Sequence, residues 1–144
     1  MEAKIKKLKE NAIIPTRGSK KAAGYDLYAC CNGTIIIEPY KTEKISTGLA
    51  IQPPKGYFGA IFARSGLATK NGLRPANCVG VCDEDYTGEY IVALHNDSSS
   101  IRAIKSGDRI AQLVFLPYID VGFCEVNELE NTKRGDGGFG STGK

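Results

Sequence analysis

Proline and glycine cut this chain into short apolar runs, and that punctuation limits what it can fold into. Ile35 to Ile37, Lys44 to Ile51 and Tyr57 to Phe62 are separated by Pro39, Pro53, Pro54 and Gly56, a spacing that suits short strands and leaves no room for long helices. Lys4 to Ile14 carries Ile5, Leu8, Ile13 and Ile14 ahead of Pro15, as an edge strand ending at a turn would. Ala22 to Ala29 alternates, setting Tyr25, Leu27 and Ala29 opposite Asp26 and Tyr28. Ile110 to Leu116 is the most apolar run and reads as a buried strand with Gln112 embedded in it. A buried amide needs a partner, because leaving it unpaired costs about 1–3 kcal/mol; a ligand oxygen or a neighbouring strand would serve. Only Arg64 to Gly72 breaks the pattern, with Ser65 placed to cap a short helix running through Lys70 and Gly72 placed to end it.

The length of 144 residues fits one domain. No apolar run approaches the roughly 20 residues of a membrane span, so a soluble protein with no membrane partner is expected. The start, Met1 to Lys9, is basic but is followed by no apolar h-region, which predicts a chain that is not secreted. Five cysteines, an odd number, and a single histidine argue for reduced thiols over a disulfide scaffold or a zinc site. In an unsecreted chain, Asn32-Gly33-Thr34 and Asn96-Asp97-Ser98 are turns, not glycosylation sites. A net charge of +3 is too mild to point to nucleic acid, although local cations would still attract a small anion.

Three stretches carry candidate chemistry. Asn77 to Tyr90 places Asp83, Glu84, Asp85 and Tyr86 between the runs Asn77 to Cys82 and Glu89 to Leu94, the outline of a hairpin with acids at its bend. In an extended chain Asp83 and Asp85 would share one side and Glu84 the other, and a carboxylate beside a cleft can orient and deprotonate water. A solvated acidic turn is the plainer alternative. Arg64, the Ser65 hydroxyl and the free N–H groups of a helix start would together suit a phosphate, although an ordinary capped helix has the same sequence. From Arg134 the chain has five glycines around Phe139, a composition that cannot bury a core. Its Gly138 to Lys144 matches the first part of a P-loop, but no Ser/Thr, helix or βαβ unit follows. An arm carrying an arginine, a ring and many backbone donors, able to fold over an anion and stack on a base, is the reading that remains. Asp108 beside Arg109 suggests structural pairing, and His95 a satisfied residue near a strand end.

Taken in order, Ala23 to Leu27, Arg64 to Ala68, Gly80 to Gly88, Gly107 to Leu113 and Arg134 to Gly143 closely resemble the five motifs of the homotrimeric dUTP diphosphatase (dUTPase) family. The resemblance implies an all-β, jelly-roll-type β-sandwich (a β-clip) with one short helix. It implies a homotrimer whose active sites draw on more than one subunit. Residues 1–130 would form one β domain carrying the first four motifs, and 131–144 a flexible arm closing over the site. The implied reaction is hydrolysis of dUTP to dUMP and pyrophosphate by in-line water attack on the α-phosphorus, limiting uracil in DNA and supplying dUMP for dTMP synthesis. Asp83 would be the general base. Tyr86 would pack under the deoxyribose and exclude a 2′-hydroxyl, while Asn77, Gly80 and the surrounding backbone read the uracil edge. Arg64, Ser65, Gly66 and Gln112 would hold the phosphates and Arg134 the γ-phosphate. Phe139 would stack on uracil, with Gly138, Ser141 and Thr142 closing over the triphosphate. Mg2+ would ride on the triphosphate, with no direct protein ligand and Asp26 in its outer shell. The expected location is cytoplasmic, or nuclear for a eukaryotic or viral source.

Three positions depart from the family pattern: Ala63 stands for a usual proline, Cys82 for a usual aliphatic residue, and Asp136 adds a negative charge to the arm. Cys82 raises the expectation of sensitivity to thiol oxidation, and Asp136 that of weaker phosphate binding. Two rivals share much of this reading: the related dCTP deaminase branch, which would release ammonia, and a nucleotide-binding regulator that binds without turnover.

Overall fold

In a computed structural model, residues 1–138 are described. Ten strands and one helix follow in the order β1 (Lys4–Lys7), β2 (Tyr25–Tyr28), β3 (Thr34–Ile37), β4 (Thr42–Gln52), β5 (Tyr57–Phe62), α1 (Ser65–Asn71), β6 (Leu73–Pro75), β7 (Gly80–Cys82), β8 (Glu89–Asn96), β9 (Arg102–Lys105) and β10 (Arg109–Pro117). β1-β4-β8-β6 form one antiparallel sheet, β2-β10-β5-β7 a second, and β3-β9 a two-stranded ribbon. Leu49, Tyr90, Val92 and Leu94 from the first sheet meet Leu27, Ile110 and Leu113 from the second in a single core, which Ile37 and Ile104 of the ribbon extend. This is the expected all-β sandwich. Burying each such aliphatic side chain is worth about 1.5–3 kcal/mol, so the alternation in β8, which turns Tyr90, Val92 and Leu94 inward and leaves Ile91 46% exposed, fixes that strand's register.

Local expectations hold where the residues act alone. β5 has the bounds its apolar run suggests. Gly72 ends α1 with φ +67, donating its N–H to Ala68 O. His95 Nδ1 meets Thr42 Oγ1 at 2.9 Å inside β8. Asn96 is fully buried, its amide donating to Ile37 O, Glu38 O and Ser100 O and accepting from Ser98, so it is a turn hub and no glycan acceptor.

Four readings need correction. Ser65 is not the cap: Arg64 holds the extended capping position, with no side-chain cap bond, and Ser65 opens the first turn. The N-terminal strand stops at Lys7, where Leu8 N–H turns to Gly48 O. β10 is buried at Ile110, Ala111 and Leu113, but Leu116 lies on the surface. Most consequentially, the runs flanking the acids are not a hairpin. β7 pairs with β5, whereas β8 pairs with β4 and, at Leu94 to Asn96, with β6. The acid turn therefore steps from one sheet to the other.

Candidate active site

Asp26 on β2 is the centre of one candidate cluster. Its neighbour across the ladder on β10 is Gln112, which in turn faces Phe62 on β5, and β5 leads directly into Arg64. Arg64 Nε donates to Asp26 Oδ1 at 2.9 Å, and Arg109 Nη1 to Asp26 Oδ2 at 3.4 Å. Arg64 also donates to the Arg109 carbonyl at 3.3 Å. Asp26 is only 5% exposed, and a buried carboxylate is tolerated only when paired in this way. Gln112 packs on Gly24, where an added Cβ would lie 3.4 Å from the glutamine Cβ. No side-chain bond to the Gln112 amide or to the Ser65 hydroxyl is present among the described residues, which leaves both available to a ligand. An added Cβ at Gly66 would meet nothing within 4 Å.

Asp83 lies elsewhere. Gly80 is paired with Ile61 and Cys82 with Gly59, so Asp83 continues toward the Phe58 end of β5 while Arg64 lies beyond the opposite end. At about 3.3 Å per residue, the interval from Phe58 to Arg64 is on the order of 20 Å, well beyond the length of a triphosphate. Asp83 instead lines a cavity of about 670 Å3 with Gln52, Phe58, Val81, Glu84, Asp85 and Tyr118. Asp83 and Asp85 are exposed. Glu84 accepts from Gly56 N–H at 2.6 Å and Tyr118 O–H at 2.8 Å, contacts that hold its carboxyl below its ordinary range. Tyr86 N–H closes the turn on Asp83 O at 3.2 Å.

The nucleoside-reading candidates stand beside this turn. Asn77 is exposed, and two tight turns precede β7: Cys78 N–H donates to Pro75 O at 3.1 Å and Val79 N–H to Asn77 O at 2.6 Å around Cys78, whose φ is +61. Gly80 suits the close packing there, since an added Cβ would sit 3.2 Å from that of Ile61. Tyr86 is 43% exposed, its hydroxyl donating to Glu89 O at 2.9 Å and its ring 6.2 Å from that of Tyr90. Tyr90 O–H is buried with no hydrogen-bond partner, and burial raises its pKa. Burial also pushes the Cys82 thiol up to about 11, with Asp83 adding to the rise and Tyr90 opposing it. A buried, protonated thiol is less reactive than a free one, which argues against oxidation sensitivity at Cys82.

The motif-bearing segments match the family description dUTPase across residues 10–143. The chain belongs to the dUTPase family. A deoxyuridine 5'-triphosphate nucleotidohydrolase of Hydrogenobaculum sp. is 45% identical over 99% of this chain and 99% of its own length. Among solved structures, a mutant dUTPase of Staphylococcus bacteriophage 80alpha with dUpNHpp superposes with a TM-score of 0.90, at 29% identity and with 99% of each chain covered. A mutant dUTPase from phage phi11 of S. aureus, described for its coordination of a structural Mg(II) ion, gives 0.82 at 27% identity over 91% of this chain and 100% of that one.

Magnesium finds no ready set of protein ligands here. Among the described residues no group of three or more His, Cys, Asp or Glu could hold a metal, and both Asp26 oxygens are occupied by guanidinium groups. Arg134 is exposed and donates to Gly137 O at 2.9 Å. Asp136 is exposed, as solvent-facing charge would be. Phe139, Ser141 and Thr142 lie outside the described residues. Sequence reasoning missed Arg109 as a partner of Asp26 and Glu84 as a clasp, because both contacts join distant segments. No helix among the described residues is long and apolar enough to cross a membrane.

Proposed function

We propose that this chain hydrolyses dUTP to dUMP and pyrophosphate at a site assembled from two or more copies. The observation that carries the reading is the dUTPase family match across residues 10–143. Asp83, exposed beside the cavity at the turn, orients a water for in-line attack on the α-phosphorus and takes its proton. Tyr86 lies under the deoxyribose, and Asn77 and the backbone up to Gly80 read the uracil edge. Arg64, Ser65, Gly66 and Gln112 hold the phosphates, and their role is positioning and charge neutralisation, which phosphoryl chemistry needs more than covalent help. Magnesium enters with the triphosphate as part of the substrate, and Asp26 acts by holding Arg64.

An interval of about 20 Å along β5 between the Asp83 end and Arg64 supports a shared site, because one α-phosphate cannot touch both groups of the same copy. The homotrimer is the assembly that would bring them together. Beyond β10, Ile119 is 86% exposed, Phe123 100% and Leu129 87%, and apolar groups in such numbers suit contact with another subunit. Residues 131–144 then act as an arm, with Arg134 on the γ-phosphate, Phe139 on the uracil, and Gly138, Ser141 and Thr142 over the triphosphate. The protein works in the cytoplasm, free of membrane and nucleic acid.

The test is product analysis with dUTP, UTP, dTTP and dCTP for the wild type and Asp83→Asn. Pyrophosphate from dUTP alone, lost on substitution, is expected. Ammonia from dCTP would point to the deaminase chemistry, and tight dUTP binding without turnover to a regulator.

A further inference from the structure

β4 carries a bulge that nothing in the reaction so far uses. Ser46 pairs with Ile91 and Ala50 with Glu89, so β4 spends extra residues against β8. Gly48 lies in that bulge with φ +68, and a Cβ there would come within 2.9 Å of Ala12 Cβ and 3.0 Å of Cys30 Sγ. The bulge holds the first residues of β8 from two sides. Glu89 Oε1 accepts from Gly48 N–H at 2.8 Å and from the Ser46 hydroxyl. Ser46 Oγ in turn accepts from Lys9 Nζ at 2.9 Å. Thr47 Oγ1 donates to the Tyr90 carbonyl at 2.6 Å in a fully buried contact.

What this pinned peptide presents outward is the Glu89 carbonyl, and that oxygen accepts the Tyr86 O–H at 2.9 Å. The ring is packed so closely on Gly88 that an added Cβ would lie 2.5 Å from Tyr86 Oη. A ring can reject a single hydroxyl only if it does not yield, and supporting groups must hold such a side chain to within about 0.5 Å.

We infer that Glu89 is a positioning residue for sugar discrimination: anchored to the β4 bulge by its carboxylate, it fixes through its own carbonyl the ring of Tyr86 that excludes a ribose 2′-hydroxyl. The inference rests on the sugar-facing role given to Tyr86 above. Glu89 touches no substrate; it acts through Tyr86.

The measurement is kcat/KM for dUTP and for UTP in wild type, Glu89→Ala and Glu89→Gln. In Glu89→Ala the dUTP-over-UTP ratio is expected to fall about tenfold, as loss of a sustained contact to a reading group does, with kcat for dUTP largely kept and its KM raised. Glu89→Gln keeps an oxygen for both bulge donors and is expected to restore the ratio. A loss of activity equal on both substrates would make Glu89 a mere prop and overturn the inference. If Glu89→Ala does not fold, Ser46→Ala is read by the same ratio, which must drop about threefold for the loss of one of two contacts; an unchanged ratio there is equally fatal. A wild type with no preference for dUTP would overturn the function reading and this inference with it, whereas a preference kept in Glu89→Ala overturns this inference alone.

Discussion

Replacing Asp26 by asparagine keeps the side chain's size and removes the charge that two arginines share. The Arg64 contact is 2.9 Å long with side chains 25% and 7% exposed, whereas Arg109 is 3.4 Å away and 52% exposed. A hydrogen bond to a charged group is worth about 1.5–3 kcal/mol, and an exposed pair such as that with Arg109 adds at most about 1 kcal/mol. The asparagine amide would also turn a donor toward a guanidinium. We therefore expect a loss of about 2 kcal/mol, which in a domain of this size lowers Tm by roughly 6 °C at fixed protein concentration. Arg64 would survive but lose its fixed pose, and with the phosphate-holding role proposed for it, mispositioning would cost on the order of tenfold or more in kcat/KM. The assay is steady-state dUTP hydrolysis in Asp26→Asn, Arg64→Lys and the double variant. Because both act through one contact, the double variant should be little worse than Arg64→Lys alone. Strictly additive losses would refute the reasoning. So would recovery of Asp26→Asn at high magnesium, which would return Asp26 to the metal's outer shell.

The Glu84 clasp makes a pH prediction. Its carboxyl is held down chiefly by Gly56 N–H and then by Tyr118 O–H, so the folded state binds its proton less readily than the unfolded state does. That contribution to stability is complete above the ordinary glutamate range and is lost as pH falls through the lowered folded value. The Tm gap between wild type and Glu84→Gln should thus be widest near neutrality and close in acid; a gap constant with pH would sink the assignment. Thiol chemistry gives a second check. With Cys82 raised to about 11 and Cys78 and Cys124 exposed, iodoacetamide at pH 8 should alkylate the latter two while Cys82 stays intact by mass spectrometry, and early modification of Cys82 would contradict its buried, protonated state.

Signals carried by a residue and its immediate neighbours were legible in the sequence. Gly72 needs a left-handed conformation to end a helix, and the β5 run is bounded by turn residues on both sides. Ser65 was off by one position, because a serine at the cap and one in the first turn differ only in backbone angles. Periodicity identified β7 and β8 as strands but carried no information on partners, which the pairing of β7 with β5 and of β8 with β4 and β6 supplied. The Asp26 pairs with Arg64 and Arg109 bridge 38 and 83 positions, and no local pattern encodes such separations. The five motifs marked the candidate residues, and the fold placed two of them, Asp83 and Arg64, toward opposite ends of β5.

The crossing of the acid turn from sheet to sheet also ties its geometry to the packing of the two layers. β7 is ordered by β5, and β8 by β4 and β6, so either sheet can form while the six residues between Cys82 and Glu89 still lack a fixed span. Only when the two layers close on Tyr90 and Leu113 does that span acquire its length, and Asp83 its position. Long-range pairings of this kind are slow to form. The position of Asp83 is thus set by the joint between the two layers, and a substitution in their shared core at Tyr90 or Leu113 would be felt there.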